Sequence, residues 1–292
     1  MIGPSLAIGT AMQDFDPTSL FPYLPIVDRP PVQWPGGARV AVWIVPNIEH
    51  FHLELGPKAP DVRNYSRRDY GNRVGVWRLM DCLAGAGFRG TVALNAEVAR
   101  FYPRIMEACG QLNWEFMGHG LTNSTVLAGM DRATEQATIL QTKQVIEDHG
   151  QRMRGWLGPG LTETWNTLDL LREAGVEYVA DWVNDDLPYA MNNGLTAIPY
   201  SLELNDMPLF NMPSISTQDF ETRIRETFDV LYEEGAKTPR VMCIALHPFL
   251  TGVPHRIRAL QRALAHIAAH DKAWLATGSE IIDAYRASPG AQ

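Results

Sequence analysis

Val40-Ala41-Val42-Trp43-Ile44-Val45 is apolar without interruption. A strand with one face in water alternates apolar and polar residues, because successive side chains point to opposite sides; an unbroken apolar run marks a strand covered on both faces. Parallel sheets bury strands in this way, since their crossover helices cover both faces, so the segment points to an α/β fold. Similar short runs recur at Thr91-Val92-Ala93-Leu94, Glu115-Phe116-Met117, Gly155-Trp156-Leu157, Tyr178-Val179-Ala180, Ala197-Ile198-Pro199, Val241-Met242-Cys243-Ile244-Ala245-Leu246 and Trp274-Leu275-Ala276. Helical patterns separate most of them. Val76, Leu79, Met80 and Leu83 repeat at three and four residues, as do Leu168, Leu171 and Ala174 ahead of Gly175, which is placed as a helix C-cap. This alternation predicts a (β/α) barrel, complete or distorted and short of one unit at seven strands. A doubly wound open sheet is the alternative use of the same elements.

With 292 residues, 46% of them apolar, the chain can bury one barrel-sized core, and no Ser-, Gly- or Lys-rich linker divides it. Residues 1–37, proline-rich and ending in a Trp34-Pro35-Gly36-Gly37 turn, are expected to form an irregular N-terminal arm, and residues 38–286 one barrel domain. The stretch 51–72 is too long for an ordinary connection and reads as a lid or an oligomer contact, so a homo-oligomer is expected. Acidic residues outnumber basic ones 33 to 25, the net charge is −8, and there is no dense Lys/Arg run, which argues against nucleic acid as a partner. No apolar stretch approaches a membrane span, and the N-terminus lacks a basic start followed by a long apolar run. A cytoplasmic protein with a small-molecule ligand is expected. Cys82, Cys109 and Cys243 are far apart among apolar neighbours and read as buried thiols.

Reactive groups of a parallel barrel gather where its strands end at their C-termini. Polar residues fall there repeatedly: Asn47 and Glu49 after the first run, Asn95 after the second, His119 after the third, Asp181 after the fifth and His247 after the penultimate one. Asn47 and Glu49, two apart on an extended segment, point to the same side. In His119-Gly120-Leu121-Thr122-Asn123 the glycine permits a close turn that returns Asn123 beside His119. Trp182 and Asp185, in a segment with further acids and aromatics, read as a pocket wall, or as turn caps. Asn205-Asp206 reads equally as a polar wall or an Asx turn. His50 and His52 suggest a metal, but solvated loop residues are the favoured reading. The region 255–270 reads as an outer amphipathic helix without chemistry.

These residues resemble the polysaccharide-deacetylase (NodB-like) superfamily, and in particular its allantoinase-like branch, over residues 34–282. The resemblance is carried by Tyr70-Gly71-Asn72-Arg73-Val74-Gly75-Val76-Trp77-Arg78, His119-Gly120, Gly155-Trp156, Asp185-Asp186-Leu187-Pro188-Tyr189, Ile198-Pro199-Tyr200 with Asn205-Asp206, and Leu246-His247-Pro248. Metal-dependent members carry an Asp base and an Asp ligand at the first strand end and two His ligands spaced H-x-x-x-H. This chain has Asn47 at the base position, Glu49 at the ligand Asp and Asn123 at the second histidine. The allantoinase-like relatives have an N-Y-E-type sequence matching Asn47-Ile48-Glu49 and can lack the metal.

What the resemblance implies is hydrolysis of a non-peptide carbon–nitrogen bond, with opening of a small cyclic amide, imide or ureide as the first expectation. Glu49 would position or deprotonate water, His119 would hold substrate or metal, and His247 would protonate the leaving nitrogen. Arg73 and Asn123 would bind carbonyl oxygens, with Asn47, Trp182 and Asp185 completing the substrate pocket. A divalent metal such as zinc, held by Glu49, His119 and Asn123, and metal-independent catalysis both remain open. The alternatives are N-deacetylation of an amino sugar or polysaccharide, and a catalytically inactive binding protein on the same barrel.

Overall fold

A computed structural model of the chain describes residues 16–54, 59–211, 215–289 and 291. The expected arm therefore lies partly, at residues 1–15, outside the described residues. Among the described residues nine strands form one sheet: β1 (Val40–Ile48), β2 (Thr91–Leu94), β3 (Glu115–Gly118), β4 (Gly155–Trp156), β5 (Tyr178–Val179), β6 (Tyr189–Ala190), β7 (Thr196–Ala197), β8 (Arg240–Leu246) and β9 (Ala273–Ala276). Their order is β6-β7-β5-β4-β3-β2-β1-β8, parallel except for the β6–β7 pair. One edge of β1 pairs with β8 along its length; the other is shared by β9, against Val40–Trp43, and β2, against Asn47 and Ile48.

The sheet curls into a distorted (β/α) barrel. The far edge of β8 is met not by a full strand but by loop backbone: Val241 N donates to Asp186 O (2.9 Å), Ala245 N donates to Leu204 O (3.1 Å), and Asn205 bridges Ala245. The eight expected runs all contribute strands; β6, ending the Asp185–Tyr189 stretch, is the unexpected one, a two-residue antiparallel partner too short to leave a periodic signal.

Alternate residues of β1 enter two different cores, as the unbroken apolar run requires. Val40, Val42, Ile44 and Ile48 pack under the outer helices. Ala41, Trp43 and Val45 fill the barrel with Ala93, Met117, Leu157, Tyr178, Val241, Cys243 and Ala245. That parity positions the polar groups at the strand ends. Continuing it two residues at a time past the apolar positions brings Asn47 and Glu49, Asn95, His119 and His247 to the barrel mouth.

Several local expectations meet the structure in detail. Gly175, at φ +77°, terminates the Thr167–Glu173 helix, Pro254–Ala268 is an outer helix, and the three cysteines are buried and free. Two differ. Within 51–72 lies a helix, Val62–Tyr70, capped by Asp61, which accepts from Asn64 N at 3.0 Å. Its polar, Arg-rich composition hid it from an apolar-periodicity reading. The described part of the arm is irregular but attached: Trp34 is buried, donates from Nε1 to Arg240 O (3.0 Å) and packs 5.9 Å from Trp274. Among the described residues no helix is long and apolar enough to cross a membrane.

Candidate active site

Glu49 is the hub of the barrel mouth. His119 Nε2 and His247 Nε2 each lie 3.5 Å from Glu49 Oε1, and Asn123 Nδ2 donates to the same oxygen at 2.5 Å. The two imidazoles, 128 residues apart in sequence, therefore face one carboxylate. Glu49 Oε2 is buried and has no hydrogen-bond partner among the described residues. A buried, unpartnered carboxylate oxygen costs free energy unless a ligand or water meets it, so it marks a position open to a ligand or water.

Each imidazole is oriented from behind. His119 Nδ1 lies 2.6 Å from Leu157 O, and since a carbonyl only accepts, Nδ1 carries the proton and Nε2 turns to the site. His247 Nδ1 lies 2.7 Å from Asp206 Oδ1. Asp206 is fully buried; it also accepts from His247 N (2.8 Å to Oδ2, 3.0 Å to Oδ1) and from Thr251 Oγ1 (2.5 Å).

Charge follows geometry. Burial alone would raise the Glu49 carboxyl, but the charge of His247, 3.5 Å from Oε1, leads the effects that outweigh it and bring it down to about 2. Burial alone would lower the His247 imidazole, but the carboxylates of Glu49 and Asp206 hold it up at about 10. The site at neutral pH is thus a carboxylate facing an imidazolium, a poor general base beside a well-charged general acid.

The glycine-rich Tyr70–Arg78 stretch builds the wall behind this pair. Gly71–Gly75 forms a π-turn joining the Val62–Tyr70 and Val76–Gly85 helices. There Asn72 Nδ2 donates to Glu49 O at 2.8 Å. Cβ atoms at Gly71 and Gly75 would stand 2.8 Å from Phe249 N and 2.1 Å from Pro248 O, so only glycine lets this turn seat against the loop carrying His247.

Sequence reasoning placed Glu49, His119, Asn123 and His247 together, and the structure brings them together. It corrects four assignments. Arg73 points outward, its side chain 72% exposed and paired with Asp69 one turn earlier. Asp185 is paired with Arg29 and caps Leu187 N, which anchors the N-terminal segment rather than a substrate. Trp182 donates to Glu163 Oε1 (3.1 Å) and packs on Phe21. Asp185 and Trp182 line two separate clefts, of about 1220 and 1010 Å³, that do not include Glu49, His119 or His247. Asn47 lies one layer beneath Glu49 with its amide committed to Val45 O (3.1 Å) and Tyr200 Oη (3.2 Å), so it forms the floor.

The metal set of Glu49, His119 and Asn123 does not fit either. His50 N donates to Asn95 Oδ1 (2.9 Å), which leaves Asn95 Nδ2 to donate to His119 O (2.5 Å) and Asn123 Oδ1 (3.1 Å). The oxygen of Asn123 is thereby turned away and its N–H faces Glu49. A donor at the third position cannot ligate a cation, and two ligands do not make a zinc site.

One residue was left between two readings and one was missed. Asp206 stood in a pair readable equally as a polar wall or an Asx turn, and both hold: Met207 N donates to Asn205 Oδ1 at 2.9 Å, while Asp206 meets His247, 41 residues away. Arg68, half-buried with its guanidinium 3.7 Å from the Phe51 ring centroid, is close enough to Glu49 for the two charges to interact. It sits one helical turn before Asn72, a spacing that points to the site only once residues 62–75 are known to be helical.

A parallel barrel with a buried carboxylate–imidazolium pair at its mouth, backed by an aspartate and a fixed second imidazole, defines a class of hydrolases acting on carbonyl–heteroatom bonds. Residues 65–179 match the polysaccharide deacetylase family. A solved structure titled a probable polysaccharide deacetylase from Pseudomonas aeruginosa PAO1 is 30% identical over 90% of this chain and 96% of its own, with TM-score 0.81. PuuE allantoinase gives 29% over the same shares, also at 0.81. A Schizosaccharomyces pombe protein whose name provisionally assigns it to the polysaccharide deacetylases is 29% identical, over 87% of this chain and 92% of that one. The chain belongs to the polysaccharide deacetylase family, whose members are hydrolases of carbon–nitrogen bonds other than peptide bonds.

Proposed function

We propose that this hydrolase opens a small cyclic amide, imide or ureide, with protein groups alone activating the water. The observation that carries this reading is the convergence of His119, His247 and Asn123 on Glu49 Oε1, with Oε2 left unpartnered. Water meets Glu49 Oε2 and His119 Nε2. Glu49, ionised and weakly basic, orients it, and His119 Nε2 takes its proton as the oxygen bonds to the ring carbonyl carbon. The oxyanion that forms faces the His247 imidazolium, with Arg68 as the nearby second cation. As the ring C–N bond breaks, the imidazolium gives its proton to the leaving nitrogen; such positioned proton transfer contributes roughly 10²–10⁴-fold. Proton exchange with solvent resets both histidines. Asp206 holds His247 in the productive tautomer.

The similarity to an allantoinase and the donor-side presentation of Asn123 favour ring opening. The similarity to a structure titled a probable polysaccharide deacetylase supports N-deacetylation as the second reading. A panel of hydantoins, cyclic imides and ureides, followed by loss of ring-amide absorbance and uptake of base, is set against acetate release from N-acetylglucosamine oligomers. Ring opening that persists after chelation and depends on His247 is expected. Acetate release with no ring opened refutes the proposal, and activity abolished by chelator and restored by a divalent ion refutes its metal-free part.

A further inference from the structure

One residue beyond Glu49, the chain carries a second cluster that the mechanism does not use. His50 Nε2 lies 3.7 Å and His52 Nε2 2.7 Å from Glu97 Oε2, and the three candidate donor atoms lie within 4.8 Å of one another. We propose that His50, His52 and Glu97 form a site for a divalent transition-metal ion of the zinc, cobalt or nickel class, separate from the Glu49 centre. The proposal does not depend on the reaction assigned above.

The donors are of the right kind, since two imidazoles and one carboxylate are a common borderline-soft set that leaves a coordination position to water. They are also held. The His50 ring stacks on Phe101 at 4.4 Å with planes 9° apart. Its backbone is pinned on both sides: N donates to Asn95 Oδ1 (2.9 Å), and O accepts from Thr122 Oγ1 (2.8 Å) and Asn123 N (3.0 Å). His52 N donates to Ser124 Oγ at 2.9 Å, and Glu97 opens the Glu97–Phe101 helix, whose backbone fixes it.

His50 is also buried and sparsely partnered. His50 is only 6% exposed, and its Nδ1 has no hydrogen-bond partner among the described residues. An imidazole buried with one nitrogen unpartnered and the other 3.7 Å from a carboxylate oxygen is under-satisfied as it stands. A cation at Nε2 would replace the long contact to Glu97 there, with Nδ1 carrying the ring proton.

The fit requires little motion. Ligands about 2.1 Å from a tetrahedral zinc stand about 3.4 Å apart, between the 2.7 and 3.7 Å found here. The adjustment falls on His52, whose side chain is 53% exposed and free to retreat. An ion there would cross-link the loop after β1 to the helix after β2, stiffening the segment that carries Glu49.

Chelator-treated protein is titrated with Co²⁺ and with Zn²⁺, read by calorimetry, by Co²⁺ visible absorption and by thermal unfolding. The variants are His52→Ala, Glu97→Gln, Glu49→Gln and His266→Ala, the last breaking the other His/His/carboxylate cluster among the described residues, Asp229, His266 and His270. Expected is one equivalent bound with a rise in unfolding temperature, weakened at least tenfold by His52→Ala and by Glu97→Gln and retained in the other two. His52 is half exposed, so its variant folds, and metal-free melting of each variant checks this. Binding lost on Glu49→Gln or His266→Ala but kept in His52→Ala overturns the proposal, as does wild-type protein that binds neither ion up to about 1 mM.

Discussion

Replacing Asp206 by Asn tests whether the His247 proton is held from behind. In the wild type Asp206 accepts from three donors, His247 Nδ1, His247 N and Thr251 Oγ1, and is wholly shielded from water. Asparagine offers one acceptor oxygen and an N–H₂ that must face at least one of those donors, so a buried donor is orphaned at about 1–3 kcal/mol. Losing the charged partner of a buried pair brings the total to about 3–5 kcal/mol, or an unfolding temperature lower by roughly 10 °C for a chain of this size. Burial already pushes His247 down, and the carboxylates of Glu49 and Asp206 together hold it at about 10; removing one should lower its midpoint by a unit or more, about 1.4 kcal/mol per unit. Nitrogen-15 NMR of labelled histidine across the pH range reads the midpoint and the tautomer without any substrate. On a ring substrate kcat should fall by about 10²–10⁴ with KM little changed. A His247 midpoint still near 10 with the Nδ1–H tautomer intact would refute the role assigned to Asp206.

The same contacts set three further outcomes. Glu49 is lowered from 4.5 to about 2, so its contribution to stability is present above about 4.5 and lost as pH falls toward 2; His247 is raised from 6.5 to about 10, so its share is present below 6.5 and lost as pH rises through 10. Glu49→Gln should flatten both limbs in chemical-denaturation curves and cost at least about a hundredfold in kcat, whereas the alkaline limb of wild-type kcat/KM should fall only near 10. Arg68→Gln should lower kcat about tenfold or more by removing a half-buried cation beside the oxyanion, while Arg73→Ala, exposed and paired only with Asp69, should leave stability unchanged and kcat/KM within about threefold; steady-state kinetics on the two variants separates these. Gly75→Ala places a methyl 2.1 Å from Pro248 O, so backbone must move beside His247, and a loss of more than about 3 kcal/mol is expected in urea unfolding, while Gly85→Ala, with open space around it, should be neutral or stabilising.

How much of this was legible in the sequence depends on whether the information is local. The apolar run from Val40 to Val45 states that both faces of a strand are buried, and its parity carries on into Glu49 without further knowledge. The same parity takes Cys243 and Ala245 to His247 and Met117 to His119, so a reader of strands alone can assemble the core of the site. Arg68 escaped, and Asp206 stayed ambiguous, because their meaning is not in their neighbourhood. Arg68 lies on a helix without an apolar stripe, and Asp206 satisfies an ordinary turn while its side chain reaches the end of β8. Arg73, in a motif shared with the family, drew attention that belonged to the glycines on either side of it: the π-turn needs Gly71 and Gly75 for contact and leaves Arg73 in water.

The polarity of the site is set by backbone rather than by its reactive groups. The His50 amide can only donate, so Asn95 must present its oxygen there and its nitrogen to Asn123. Asn123 then has no choice but to turn its own nitrogen to Glu49. Two amides in series thus transmit one fixed donor from the chain immediately after Glu49 back to the Glu49 side chain. A histidine at 123 would offer a lone pair to a cation; the asparagine offers a proton to a carboxylate. Together with the His247 imidazolium, which an open metal site would repel, that relay accords in donor chemistry with the proposed ring opening, in which the barrel keeps its carboxylate and one histidine and directs them at water and a carbonyl.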